Sequence, residues 1–132
     1  MNRRFIVCLL VSMLVTGCNS IQAVEKEPLS TGTTRTYQAK YKDVVAAAKS
    51  AIPDVGLTFV TENPEGKGTL LFAQRNMTAF SYGEKVRIYI FPESPNVTVR
   101  IISEAVLATN FTAKDFTNDL FKSIEQKVIR NP

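Results

Sequence analysis

Two runs of alternating apolar and polar residues stand out in the second half of the chain. The apolar members are Val86, Ile88 and Ile90 in the first run and Val97, Val99 and Ile101 in the second. Successive side chains of a β-strand point to opposite faces of the sheet, so each run predicts a strand with one buried face. Together they predict an antiparallel hairpin.

The alternation also limits how the two strands pair. Directly opposed residues share a face, so Ile90 must lie opposite either Val97 or Val99. The first option places Arg87 opposite Arg100, where like charges repel each other. The second option places an aromatic ring opposite Arg100, which is mildly favourable. We therefore predict that Ile90 lies opposite Val99.

Apolar residues recur at helical spacing in two other segments. The first stripe is Tyr41, Val44, Val45, Ala48 and Ile52, and the second is Phe116, Leu120, Phe121, Ile124 and Val128. Both predict amphipathic helices. Pro53 and Gly56 end the first helix, whereas Thr112 predicts the N-cap of the second, with Asp115 three residues on. Phe111 fits a hydrophobic staple before that cap.

Shorter β-branched and apolar runs complete the pattern. Leu57 to Glu62 and Thr69 to Asn76 predict a hairpin around a turn at residues 63–68. Arg35 to Ala39 fits a short edge strand, so the sheet has four strands or, with this segment, five. These elements predict an α+β fold, a two-layer sandwich of an antiparallel sheet with two helices on one face.

The N-terminus follows the pattern of an export signal. Arg3 and Arg4 precede an apolar stretch from Phe5 to Val15, which is too short to span a bilayer as a mature helix. The sequence that follows, Val15-Thr16-Gly17-Cys18, resembles the lipobox of bacterial lipoproteins. That resemblance implies cleavage between Gly17 and Cys18 and attachment of a diacylglyceryl group to the Cys18 thiol.

The predicted division of the chain follows from this signal. Residues 1–17 are the lipoprotein signal peptide, residues 18–34 a lipidated flexible tether, and residues 35–132 a single α+β domain. The partner implied by the anchor is a membrane. Position 19 carries Asn, whereas Asp there retains lipoproteins at the inner membrane of enteric bacteria, so the resemblance favours the outer membrane.

Cleavage also changes the charge and the available chemistry. The whole chain has 16 basic and 12 acidic side chains, and loss of Arg3 and Arg4 leaves 14 against 12, a net charge of +2. This value gives little support to nucleic-acid binding, which needs a concentrated basic surface. The chain has no His, and Cys8 and Cys18 belong to the signal and the anchor. We therefore predict no metal site, no cofactor and no enzymatic activity.

The order of elements carries a broader likeness over roughly residues 35 to 130. Gly56-Leu57 follows the first helix, and Gly83 precedes the alternating strand. This arrangement resembles small bacterial lipoproteins of unknown function and, more distantly, the helix-grip modules of a lipoprotein of the outer-membrane β-barrel assembly machinery. It implies the fold, and no functional residue is carried over from it.

The outward face of the predicted sheet is the candidate binding site. It carries Arg75, Arg87, Tyr89 and Arg100, and arginine and tyrosine are enriched at protein interfaces. An ordinary solvated face is the competing interpretation. The functional hypothesis is a non-enzymatic binding or assembly module that contacts another envelope protein or an anionic envelope polymer.

An alternative hypothesis is a periplasmic hydrolase or small-ligand-binding protein that uses carboxylates and arginines in a cleft. Paired carboxylates are the usual machinery of glycoside hydrolysis. A deep pocket lined by two of Glu62, Glu84 and Glu104 would favour this alternative. A flat face of arginine and tyrosine would favour the binding module.

Overall fold

The computed structural model describes residues 32–79, 83–107, 109 and 112–130. The predicted signal peptide, its cleavage site at Gly17 and Cys18, and residues 18–31 of the predicted tether lie outside the described residues. The described elements are β1 (Thr33–Tyr37), α1 (Tyr41–Asp54), β2 (Thr58–Glu65), β3 (Gly68–Arg75), β4 (Glu84–Glu93), β5 (Asn96–Ala105) and α2 (Thr117–Arg130).

The five strands form one antiparallel sheet in the order β1-β5-β4-β3-β2. The predicted α+β fold is confirmed, and the short edge strand is present. This strand begins at Thr33, so Thr33 and Thr34, which we assigned to the tether, belong to the sheet.

One face of the sheet packs against both helices, and we call it the helix side. The residues buried there alternate along the strands, as the period of two requires. They form one core with the apolar stripes of the helices. Its largest fully buried apolar side chains are Phe116, Phe121, Ile52, Leu71, Ile88, Ile90, Ile101, Leu120 and Ile124.

The predicted register of the β4–β5 hairpin is confirmed. Ile90 lies opposite Val99, and Tyr89 lies opposite Arg100. Arg87 lies opposite Ile102 and not opposite Arg100. The repulsion between two directly opposed arginines is thereby avoided.

The first hairpin is longer than predicted. β2 continues through Pro64 to Glu65, and the turn contains only Gly66 and Lys67. Gly66 has a φ of 57°, in the left-handed region that glycine adopts without steric cost. Pro64 is tolerated because β2 lies at the edge of the sheet, where a missing N–H breaks no interior ladder. The prediction of a six-residue turn was therefore wrong.

Helix α1 ends as the sequence predicts. The Leu57 N–H donates to the Ile52 carbonyl at 3.1 Å, and the Gly56 N–H donates to the Pro53 carbonyl at 3.1 Å. These two bonds make a Schellman motif, with Gly56 at a φ of 85°. The motif directs Leu57 into the core, where it is 4% exposed.

Helix α2 begins at Thr117, five residues after the predicted cap at Thr112, so that prediction was wrong. Asp115 Oδ1 accepts a hydrogen bond from the Thr117 N–H at 2.9 Å. The Phe116 N–H donates to Ser103 Oγ at 3.2 Å, and the Phe116 ring is buried. Contacts with β5 and the core thus fix where the helix starts. The predicted staple residue, Phe111, lies outside the described residues.

Candidate functional site

The sheet face opposite the helix side, which we call the outer face, carries three of the four predicted binding residues. Arg87 and Tyr89 alternate with the buried Val86, Ile88 and Ile90 of β4, and Arg100 alternates with the buried Val99 and Ile101 of β5. All three side chains are half-buried. The structure therefore brings Arg87, Tyr89 and Arg100 together on one surface.

The fourth residue, Arg75, was assigned to the wrong face. It continues the alternation of Leu71 and Ala73 on the helix side, where it lies opposite Glu84. Its Nε donates to Glu84 Oε2 at 2.6 Å, its Nη2 donates to Glu84 Oε1, and its guanidinium lies 5.3 Å from the centroid of the Phe116 ring. Arg75 therefore belongs to the packing of the domain and not to the candidate binding surface.

Glu84 explains this placement. Glu84 is the first residue of β4 and is fully buried. It also accepts a hydrogen bond from the Lys114 backbone N–H at 3.0 Å. A buried carboxylate needs such partners because desolvation of an unpaired charge is costly. The pair with Arg75 thus fastens the segment before α2 to the end of the sheet.

The middle of the outer face is a set of six side chains, here called the central block. It consists of two rows of directly opposed residues, Arg100-Tyr89-Leu70 and Ile102-Arg87-Phe72. Leu70 and Ile102 are 7% and 6% exposed. Tyr89 stacks on Phe91 with ring centroids 6.1 Å apart and an interplanar angle of 12°. The centre of this face is therefore apolar and aromatic, with two arginines set into it.

The sequence-based prediction missed Leu70, Phe72 and Phe91. Leu70 and Phe72 lie in an apolar run of β3 that has large residues on both faces, which hides the period of two. Such a run could have identified these residues, because a strand that is apolar on both faces either is covered on both faces or exposes an apolar surface. Phe91 follows Tyr89 by two residues, so it shares the same face.

A depression of about 540 Å³ lies beside the central block. Val60 forms one wall, at a bulge that shifts the register between Phe59 and Thr61. Val60 is 51% exposed. Arg87 Nη2 pairs with Glu104 Oε1 at 2.9 Å on another wall. Phe72 lines the depression as well, so the depression extends the outer face.

The charges on the outer face differ in how far they are compensated. Arg87 is neutralised by Glu104. Arg100 donates from Nε to Thr34 Oγ1 at 3.5 Å, and no carboxylate in the described part of the chain forms an ion pair with it. The Arg100 guanidinium can therefore donate hydrogen bonds to a carboxylate or carbonyl group from outside the domain.

The three carboxylates named for the hydrolase hypothesis are engaged with three different cations. Glu62 pairs with Lys49 at 2.6 Å on the helix side, Glu84 with Arg75, and Glu104 with Arg87 on the outer face. Of the three, only Glu104 lines the depression on the outer face. The described residues do not bring two of them together there in the way that paired-carboxylate catalysis requires.

A second cavity, of about 840 Å³, lies at one end of the sheet. Its lining includes Tyr41, Pro95, Asn96 and Val128, with Asp43 and Lys40 as its charged groups. None of the four predicted binding residues lines it. It lacks the arginines that the ligand-binding alternative invoked.

No protein-family model matches the chain, and no curated protein is significantly similar to it in sequence. Within the described ranges, no helix is long and apolar enough to cross a membrane. The same ranges contain no group of three or more Asp, Glu, His or Cys side chains placed to hold a metal ion. Function is therefore inferred from the chemistry of the outer face.

Proposed function

We propose that this chain is a lipid-anchored protein of a bacterial envelope whose domain acts as a non-enzymatic binding module. The outer face of the sheet docks a partner protein. The observation that carries the proposal is the central block, on the side of the sheet away from the helices. Its accessible groups are the half-buried rings of Phe72 and Tyr89 and the two arginines.

The composition of the central block matches the centre of a protein interface. Aromatic residues and arginine are enriched there, and they supply a large share of the binding energy. The positions that flank the two rows are polar: Thr34 and Asn63 end one row, and Thr61 ends the other. An apolar centre with a polar rim is the usual organisation of such surfaces.

The charges favour a protein over an anionic envelope polymer. A polyanion binds best to a concentrated and uncompensated basic surface. On the outer face, Arg87 is already paired with Glu104, and Thr98 donates to Glu93 at 2.6 Å on the same side. The accessible part of the Phe72 ring offers neither a charge nor a hydrogen bond to a hydrated polymer. A partner with apolar side chains and a carboxylate for Arg100 would satisfy the central block.

The anchor is supported by the N-terminal sequence. Two arginines, a short apolar stretch and small residues before Cys18 occur in the order that lipoprotein signals have. Two or three acyl chains give stable attachment, whereas one gives only marginal binding. Asn19 favours the outer membrane. The proposed role is thus to hold a partner at an envelope membrane.

The test is cross-linking in cells from a photoreactive amino acid placed at Tyr89 in the full chain. The matched control carries the same probe at Lys42, which is exposed on α1. We expect one protein to be captured from position 89 and not from position 42. The reciprocal experiment, with the probe in that protein, should capture this chain.

Charge reversal gives the second arm of the test. Arg100→Glu should abolish the capture, whereas Lys122→Glu, an exposed change on α2, should leave it unchanged. Equal capture from positions 89 and 42 would contradict the proposal. Capture of an anionic polymer instead of a protein would contradict the partner assigned here.

A further inference from the structure

Strand β1 is an edge strand of the described sheet. Among the described elements it pairs only with β5, through an unbroken register from Thr33 opposite Ile101 to Tyr37 opposite Val97. Alternate residues of an edge strand direct their N–H and C=O groups away from the sheet. Its sequence, Thr-Thr-Arg-Thr-Tyr, consists largely of good strand formers.

The opposite edge, β2, is protected in ways that β1 is not. β2 has a bulge at Val60, which bends a strand and interrupts its ladder. It also contains Pro64 and two acidic residues, Glu62 and Glu65. Bulges, proline and charge are the usual means by which sheet edges avoid pairing with other chains. Strand β1 has neither a bulge nor a proline, and its only charged residue is Arg35.

The charge of Arg35 is compensated within the domain. Its Nη1 lies 2.6 Å from Glu125 Oε1, and its guanidinium lies 4.5 Å from the centroid of the Phe121 ring. The side chains of Arg35 and Glu125 are still 40% and 38% exposed. A cation and an anion therefore stand side by side at this edge. Such a pair is complementary to a copy of itself turned by a two-fold axis.

We propose that a second copy of this chain adds its own β1 antiparallel to β1, so that the two sheets join edge to edge. This interface lies at the edge of the sheet and adjoins the outer face at Thr34. It does not depend on the function proposed for that face. Opposed residues must share a face, so the two-fold axis passes beside a residue that faces itself. Placing the axis at Arg35, the middle of β1, pairs the whole strand.

This register has specific neighbours. Thr34 lies opposite Thr36 of the second copy, and threonine pairs across strands are favourable. The two Arg35 side chains lie near the axis, each between its own Glu125 and Glu125 of the other copy. Alternation of the four charges offsets the repulsion that two directly opposed arginines would have without their carboxylates.

Helix α2 supplies an apolar contact to the same interface. Ile129 follows Glu125 by four residues, which places it on the same flank of the helix one turn further on. At 77% it has the largest exposed fraction among the exposed large apolar side chains of the described residues. Two copies joined at β1 bring these flanks of α2 towards each other. The interface thus brings Ile129 close to helix α2 of the second copy, a contact that the single domain does not provide.

The test is disulfide cross-linking of the full chain in membranes. The double variant Thr34→Cys/Thr36→Cys places two thiol pairs across the proposed axis, at exposed positions of β1. We expect a covalent dimer at twice the mass of the chain after mild oxidation. The unsubstituted chain gives the background from Cys8 and Cys18. Thr58→Cys/Thr61→Cys on β2 is the matched control and should give no dimer above this background.

A second pair of variants tests the helix contact in the double-cysteine chain. Ile129→Asp should reduce the cross-linked fraction, and Met77→Asp, which changes a residue 70% exposed in the segment after β3, should not. Protease resistance of the variants checks that the domain is folded.

Absence of a dimer in the folded Thr34→Cys/Thr36→Cys chain would overturn the proposal. Equal cross-linking from β2, or a mixed disulfide with a different protein in place of the dimer, would overturn it as well. Because the probe positions differ from Tyr89, failure here leaves the docking test on the outer face intact.

Discussion

Arg75 and Glu84 face each other across β3 and β4 with unequal exposure. The Glu84 side chain is completely buried, and the Arg75 side chain is 30% exposed. Arg87 and Glu104 form a pair of the same chemical type, with 35% and 54% exposure. The two pairs allow the contribution of burial to be measured within one protein.

We expect Arg75→Ala to lower the free energy of unfolding by about 3 kcal/mol or more, because it leaves a buried carboxylate without its cation. Arg87→Ala should cost less than about 1 kcal/mol, because its partner is exposed to water. Urea unfolding of the three proteins measures both values. Equal losses of unfolding free energy in the two variants would contradict the burial of Glu84 and its dependence on Arg75.

Gly56 is the test of the Schellman motif at the end of α1. No atom lies within 4 Å of a Cβ added there, so a substitution meets no steric obstacle beyond the backbone itself. Gly56→Ala should therefore cost about 1 kcal/mol, the cost of a left-handed conformation at a residue with a Cβ. Gly56→Asn should cost less, because asparagine tolerates this region better. The denaturation midpoints of the two variants and of the unsubstituted chain measure these costs. A midpoint for Gly56→Ala equal to that of the unsubstituted chain would contradict the motif.

Asp115 takes the place of Thr112 in the start of α2. Its carboxylate accepts the Thr117 N–H, so Asp115→Ala should lower the free energy of unfolding by about 1 kcal/mol. Asn118→Ala, an exposed change in the first turn, is the control and should have a smaller effect. A larger loss of unfolding free energy from Asn118→Ala than from Asp115→Ala would contradict the assignment of Asp115 to the start of α2.

Asp54 links the two helices and gives a prediction about pH. The Lys127 ammonium at 2.8 Å and the Ser123 hydroxyl at 3.0 Å donate to its carboxylate and hold the pKa of Asp54 below its ordinary value of 3.8. The stabilisation is therefore present above that value and is lost as the pH falls through the lowered pKa. Lys127→Gln should raise the Asp54 pKa, measured from its carboxyl NMR shift, and Lys122→Gln should not.

The proposed anchor predicts two changes in cells. Cys18→Ala should abolish incorporation of labelled palmitate, and Ser20→Ala, a control change close by, should preserve it. Asn19→Asp should move the protein from the outer to the inner membrane fraction of an enteric host. A chain that incorporates label without Cys18 would contradict lipidation at this thiol.

The register of β4 and β5 could be predicted because it depends on local information. The alternation of apolar residues allowed two registers, and repulsion between Arg87 and Arg100 excluded one. The start of α2 depends on contacts that are distant in sequence. The bond from the Phe116 N–H to Ser103 and burial of the Phe116 ring outweigh the capping tendency of Thr112.

The candidate site was predicted in part for a similar reason. Arg87, Tyr89 and Arg100 follow from strict alternation beside clear apolar partners. Arg75 was assigned to the outer face because of its charge, although its spacing from Leu71 and Ala73 places it on the helix side. Its buried partner Glu84 comes from another strand and cannot be identified from the sequence of β3 alone.

The position of β1 has a mechanical consequence. The described chain enters the sheet at Thr33, and β1 is joined to β5 by five consecutive residue pairs. With the proposed anchor on the N-terminal side, a pull along the strand axis would load this ladder in shear, so that its hydrogen bonds share the force. A pull across the strand would break them one after another. The resistance of the domain to a pull from the proposed anchor thus depends on the direction in which the proposed partner is held.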